Sequence, residues 1–153
     1  MVNKYPSVAI LLSAYNGIKW IEEQVVSILS QKNTSIEIFI SIDLSNDQTY
    51  DWCQSFAKGR ANIKVLPYGA RFGGAAKNFF RLIRDVDFSY FDYIAFSDQD
   101  DIWDSGKLHH AIGTIEKYNL DGYSSDVIAF WSNGRKKLVK KSFPQKKFDY
   151  FFE

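Results

Sequence analysis

Between its two serines, Ser7-Val8-Ala9-Ile10-Leu11-Leu12-Ser13 contains no polar residue. A strand that is apolar on both faces has to be covered on both faces, so this run belongs inside a layered sheet rather than at a surface. Ala14-Tyr15-Asn16-Gly17 breaks the run, and Ile18, Ile21, Val25, Ile28 and Leu29 then recur at helical spacing. Glu22 and Glu23 fall near the start of that helix, where its dipole favours negative charge. The same alternation continues along the chain. Residues 36–42 predict a second strand, 43–48 its exit loop, and 49–58 a helix carrying Trp52 and Phe56 inward. Residues 62–66 predict a third strand, followed by a loop with Pro67, Gly69, Gly73 and Gly74. Residues 75–86 are helical by period and would bury Ala76, Phe79, Phe80 and Ile83. A fourth strand starts at Tyr93, and residues 105–118 follow as a helix with Leu108, Ala111, Ile112 and Ile115 on one face.

Strands alternating with helices imply an α/β fold with a mostly parallel sheet, right-handed crossovers and helices on its faces. Such sheets bind ligands at the carboxyl ends of their strands. Three polar loops stand there: residues 13–17, 43–48 and 97–101.

The third loop carries the densest charge. In Tyr93-Ile94-Ala95-Phe96-Ser97-Asp98-Gln99-Asp100-Asp101-Ile102-Trp103, an apolar run ends in three carboxylates within four positions. Like charges this close repel, and something positive should sit among them. An all-oxygen cluster suits a hard divalent cation, Mg²⁺ or Mn²⁺, that keeps waters and takes further ligands from phosphates. The bland alternative is a solvated turn with an Asp helix cap. A solvated turn needs no partners on neighbouring strand ends, whereas a nucleotide–metal site does, and the two other polar loops favour the second reading.

Beyond Asp121-Gly122 the pattern changes. Residues 126–131 are strand-like, Asn133-Gly134 is a hairpin turn signal, and residues 136–140 could return antiparallel. The last stretch mixes Lys140, Lys141, Lys146 and Lys147 with Phe143, Phe148, Tyr150, Phe151 and Phe152, and it stops at Glu153 without a capping or turn signal, like a cut end.

Several function classes drop out. At 153 residues the chain is one domain's worth, and 46% hydrophobic with 24% charged residues is ordinary globular composition. A net charge of +1 gives no argument for nucleic acid as a partner. Cys53 is the single cysteine, which leaves no intramolecular disulfide or cysteine zinc site and reads as a packing residue. Residues 8–12 are too short for a signal peptide and follow Pro6, and no run reaches the length of a membrane span, so the chain reads as cytoplasmic. There is no Gly-x-x-x-x-Gly-Lys-Ser/Thr loop and no Gly-x-Gly-x-x-Gly after the first strand. His109 and His110 are neighbours on a helix, face different directions and read as surface residues.

Leu12-Ser13-Ala14-Tyr15-Asn16-Gly17, then Ser41-Ile42-Asp43-Leu44-Ser45-Asn46-Asp47-Gln48-Thr49, then Phe96-Ser97-Asp98-Gln99-Asp100-Asp101-Ile102-Trp103 resembles family 2 glycosyltransferases of the GT-A fold. The nearest flavour is the bacterial rhamnosyltransferase-like group that builds O-antigen and capsular polysaccharide. The resemblance implies a Rossmann-like nucleotide-diphospho-sugar transferase fold. Residues 1–122 would form the donor-binding region and 123–153 the start of an incomplete acceptor side. It also implies that Ser13, Ala14 and Tyr15 line the nucleoside pocket, with the Tyr15 ring on the base. Asp43 would meet the base edge, Arg71 the base or phosphate, and Asp98 the ribose or a nearby water. Gln99 would belong to the donor site, and Asp100 would bind the Mg²⁺ or Mn²⁺ that bridges the diphosphate.

The usual loop after the second strand begins Asp-Asp-Gly-Ser, and here it reads Ile42-Asp43-Leu44-Ser45. Family members are longer, and their acceptor site and catalytic base lie beyond the point where this chain stops. Asp101, Asp104 and Asp126 match that base by position in no case, so the catalytic residue is left unassigned. The activity implied is an inverting, metal-assisted transfer from a UDP- or dTDP-sugar to a growing cell-surface polysaccharide or a lipid-linked saccharide, at the inner face of the plasma membrane. The alternative is a non-catalytic nucleotide-binding or interaction fragment. A sugar nucleotidyltransferase would carry a Gly-rich, basic signature after the first strand, and Ala14-Tyr15-Asn16-Gly17 lacks one. The basic aromatic tail has two readings, contact with an anionic membrane surface or core packing against a missing half. The absence of a clean amphipathic period favours the second and predicts an exposed apolar patch. Peripheral membrane contact and homo-oligomerisation both stay open.

Overall fold

The structure is a computed structural model, and it describes residues 5–131 and 133–140. The basic aromatic tail from residue 141 onward lies outside the described residues. The chain divides into two compact units, residues 1–110 and 111–153.

The first unit is built on the strand anticipated from the opening apolar run. β1 (Ser7–Ala14) is buried from Val8 onward and lies in the interior of a four-stranded sheet. It pairs in parallel with β2 (Ser35–Ile42) on one side and β4 (Tyr93–Asp98) on the other, and β3 (Ile63–Val65) extends the sheet beyond β2. The order is therefore β3-β2-β1-β4. The register decides where the strands end: Ser13 stands level with Ser41 on β2 and with Asp98 on β4. All three exit loops consequently leave the sheet at one edge.

Helices cover the sheet as the alternation requires. α1 (Ile21–Leu29) buries Ile21, Val25 and Ile28 at its apolar period, with Glu22 and Glu23 in its first turn. α3 (Ala75–Asp85) closes a core in which Leu82 and Val86 pack with Ala9, Leu11 and Phe39. Phe91 joins this cluster edge-on to Phe39, their ring centroids 5.9 Å apart. α2 (Thr49–Ala57) and the start of α4 (Lys107–Tyr118) complete the unit.

Two expectations about inward faces are corrected. On α3 the buried residues are Asn78, Arg81 and Leu82, whereas Ala76, Phe80 and Ile83 are exposed and Phe79 is half-buried. Counting apolar residues alone selects the wrong face, because the inward face of α3 is needed to satisfy hydroxyl and carbonyl groups at the strand ends. On α2 the fully buried side chains are Thr49 and Cys53. Trp52 and Phe56 instead stack on each other at 4.7 Å, half-exposed, with the Arg60 guanidinium over Phe56. Burial, with Asp47 adding repulsion, pushes the Cys53 thiol up to about 12, which makes it an inert packing group.

The second unit contains the expected hairpin. β5 (Val127–Phe130) and β6 (Lys136–Val139) pair antiparallel, from Val127 opposite Val139 to Phe130 opposite Lys136. Gly134 has a φ of +81°, the left-handed conformation that the Asn-Gly signal provides for.

Candidate functional site

Asn78 sits beneath the strand ends and ties them together. Its Nδ2 donates to Ser13 Oγ (3.0 Å), to the Ser41 carbonyl (2.9 Å) and, more weakly, to the Ala14 carbonyl (3.4 Å). Its Oδ1 accepts the Ser41 hydroxyl. Arg81 reinforces the same point, donating from Nη1 to Ser41 Oγ at 3.1 Å and from Nη2 to the Pro67 carbonyl. Ser13 and Ala14 are thereby built into the floor of the edge, and both are buried.

Asp43, the first residue past β2, is only 4% exposed. Its carboxylate accepts the backbone N–H groups of Leu44 (2.8 Å), Phe72 (2.7 Å) and Gly73 (2.8 Å). Burial pushes this carboxyl up, but the backbone bonds outweigh it and hold the group below the ordinary carboxylate range. The result is a latch that folds the loop after β3 over the end of β2, with Leu44 N–H also donating to the Ala70 carbonyl. Gly73 and Gly74, at φ of +79° and +148°, give the backbone the turn that this requires. Arg71 is carried on the latched loop and is exposed.

The loop after β1 is held from both sides. Gln99 grips the backbone of Tyr15 at two points: its Oε1 accepts Tyr15 N–H at 2.7 Å and its Nε2 donates to the Tyr15 carbonyl at 2.8 Å. The Tyr15 ring is left half-exposed above this clamp. Gly17 passes so close that a Cβ there would lie 2.1 Å from Gln99 Oε1. On the other side, Asn16 N–H donates to Ser45 Oγ (3.0 Å), and Asn16 Oδ1 accepts Asn46 N–H (2.9 Å). Gly17 N–H donates to Thr49 Oγ1 at 2.8 Å. Tyr68, stacked on Tyr50, brackets Ser45 by accepting its N–H and donating to its carbonyl.

The acidic loop leaves β4 beside Gln99. Desolvation raises the Asp98 carboxyl above its ordinary value, and repulsion from Asp101 and Asp100 raises it further. Asp101, although its side chain is open to solvent, is raised by partial desolvation from the protein packed beside its carboxyl and by Asp100, against the pull of Lys107. Lys107 is lowered by burial, with Asp101 opposing, and its Nζ lies 4.1 Å from the centroid of the Trp103 ring. Asp100 and Asp101 are exposed. Among the described residues no three His, Cys, Asp or Glu side chains converge into a ready metal cage. This donor set fits a hard cation that brings water and phosphate oxygens with it, rather than a permanently caged structural metal.

The register and the loops thus bring Ser13, Ala14, Tyr15, Asp43, Asp98 and Gln99 to one edge, Arg71 lies on the loop latched onto it, and Asp100 stands in the loop leaving it. Asn78 and Arg81 escape sequence reasoning. Their one signal is a polar pair, three apart, on a helix whose neighbouring positions are aromatic.

A family model described as Glycosyl transferase family 2 matches residues 9–152. The chain is 52% identical over 143 residues to the dTDP-rhamnosyl transferase RfbG of Shigella flexneri, covering 93% of this chain and 50% of that protein. The chain therefore spans about half the length of this curated relative. Among solved structures, S. aureus TarS 1–349 superposes with a TM-score of 0.62 at 21% identity, covering 94% of this chain and 40% of that one. TarS 1–349 has also been solved in complex with UDP-GlcNAc. The mannosyltransferase PcManGT of Pyrobaculum calidifontis, solved in complex with GDP-Man and Mn²⁺, superposes with a TM-score of 0.60 at 20% identity, covering 72% of this chain and 32% of that one. These structural likenesses show the GT-A fold. With that fold and a family match along nearly its whole length, the chain belongs to glycosyl transferase family 2.

Proposed function

We propose that this chain binds the nucleotide-sugar donor of an inverting glycosyltransferase acting on a saccharide or lipid-linked saccharide of a bacterial surface polysaccharide such as O-antigen. The observation that carries the reading is the level register of β1, β2 and β4, which gathers an aromatic ring, a buried ionised carboxylate and an acidic loop at one sheet edge. A nucleoside diphosphate requires those three features: a stacking surface, a polar edge for the base, and a means of neutralising the diphosphate.

In this reading the exposed Tyr15 ring stacks on the base, and Asp43 meets the base edge from a carboxylate kept ionised by its amide bonds. Ser13 and Ala14 form the floor, Gln99 fixes the backbone under the nucleoside, and Asp98 faces the ribose or its water. Arg71, on the latched loop, reaches the base or phosphate. Asp100 holds the divalent cation, Mg²⁺ or Mn²⁺, which when bound neutralises charge on the departing diphosphate. Residues 1–122 would serve the donor and 123–153 would begin the acceptor side. A lipid-linked acceptor would place the work at the cytoplasmic face of a membrane, and among the described residues no helix is long and apolar enough to cross one.

The relative's printed name favours a dTDP-linked donor, and the TarS complexes make a UDP-sugar the natural competitor. Equilibrium titration of the chain with dTDP, UDP and GDP in Mn²⁺ tests the reading. The expected result is binding of dTDP or UDP that is tighter than GDP and is weakened about tenfold in Tyr15→Ala by loss of the stacking surface. No binding of any of the three would overturn it.

A further inference from the structure

We propose that the polar stripe of α1 — Gln24 and Ser27, continued by Gln31 just past the helix end — is a positioning device that sets the shape of the acidic loop and through it the affinity for the cation. The proposal rests on the donor-site reading above and adds residues to it. All three side chains are buried, set among Ile21, Val25 and Ile28. Polar groups in such positions are costly unless bonded, so the destination of their bonds is informative. Here the bonds lead to one segment of chain.

Gln24 Nε2 donates to Ser97 Oγ (2.5 Å), and that hydroxyl donates to the Asp98 carbonyl at 3.1 Å. Ser27 Oγ donates to the Gln24 carbonyl (2.8 Å) and accepts the Trp103 N–H at 3.0 Å. Gln31 spans the far end of the loop: its Nε2 donates to the Asp104 carbonyl (2.6 Å) and its Oε1 accepts the Leu108 N–H (3.0 Å). The backbone adds a further tie, from Lys32 N–H to the Ser105 carbonyl at 3.0 Å.

The loop is therefore pinned at its entrance, at Trp103 and at its exit, while Asp100 and Asp101 between the pins are exposed. Left to themselves, three neighbouring carboxylates would splay apart to relieve their repulsion. Anchors on both flanks oppose that movement by holding the loop backbone in one shape, so that less rearrangement remains when a cation draws the carboxylates together. Amide and hydroxyl side chains suit the task because they donate and accept without adding charge beside the cation. Outer partners that orient ligands in this way are worth about 10- to 100-fold in metal affinity.

The test uses the full chain with Mn²⁺ and dTDP as probes, comparing wild type, Gln31→Leu and Ser27→Ala. Three quantities are measured: Mn²⁺ affinity at saturating dTDP, dTDP affinity in EDTA, and the thermal midpoint. The expected result is a loss of about tenfold or more in Mn²⁺ affinity with dTDP binding in EDTA unchanged within about twofold. Ser27→Ala removes one hydroxyl and keeps the test alive if Gln31→Leu fails to fold. Unchanged Mn²⁺ affinity in the folded variants would overturn the proposal and leave the donor-site reading standing. Equal losses with and without Mn²⁺ would reduce the stripe to a stabilising contact and overturn it too. A wild type whose dTDP binding ignores Mn²⁺ would remove the cation from the donor-site reading, and the proposal with it.

Discussion

Gly17 shows how much the edge depends on single atoms. It lies against the amide of Gln99, with no room for a Cβ, and Gln99 in turn holds both polar backbone groups of Tyr15. In Gly17→Ala the added methyl should push Gln99 off Tyr15, leaving a donor and an acceptor to find water. A loss of about 1–2 kcal/mol is expected in urea unfolding, and unchanged stability would contradict the clamp. Asp43 makes a pH prediction of definite sign. Its carboxyl is held below the ordinary 3.8 in the folded chain, so between the folded value and the unfolded one the unfolded state binds more protons. The contribution of Asp43 is thus present above the ordinary value and is lost as the pH falls through the folded one. Asp43→Asn should cost about 1–3 kcal/mol at neutral pH and should shrink the acid-side loss of stability. An acid limb identical to wild type would contradict the latch.

The elements themselves were largely legible, because hydrophobic period reports strand and helix directly. Ser7–Ser13 reads as a doubly covered strand, which the structure extends by one residue to Ala14, and the alternation predicts every helix and strand of the sheet in order. What period alone hides is a polar group on a buried face. Gln24 lies between Ile21 and Val25 and carries no apolar signal, and Asn78 loses to Phe80 because aromatic residues outweigh amides in any hydrophobic count. Both amides face inward for one reason: strand ends and exit loops carry hydroxyl, carbonyl and N–H groups that need partners. α3 offers a direct comparison. Asn78→Leu should cost about 2–4 kcal/mol by stranding Ser13, Ser41 and Ala14, whereas Phe80→Ser should stay within about 0.5 kcal/mol. Chemical denaturation of the two variants would decide it, and the reverse order would restore the aromatic face as the packing face.

At the scale of the whole molecule, the sheet order β3-β2-β1-β4 places an apolar strand in the middle and its exit loop between those of its neighbours. The fold was readable from the sequence, and so was the gathering of three polar loops, because parallel strands in register must end together. The layout of the loops was not readable, since it depends on side-chain clamps such as Gln99 on Tyr15 and Asp43 on Phe72 and Gly73. The central claim is that the edge binds a nucleoside diphosphate through a cation held at Asp100. Calorimetric titration of dTDP with and without Mn²⁺, on wild type and Asp100→Ala, tests it most directly. The account predicts that Mn²⁺ tightens wild-type binding by about tenfold or more and that Asp100→Ala removes the gain while keeping the metal-free affinity. Binding that ignores Mn²⁺, or an Asp100→Ala variant that responds to it as wild type does, would contradict the account.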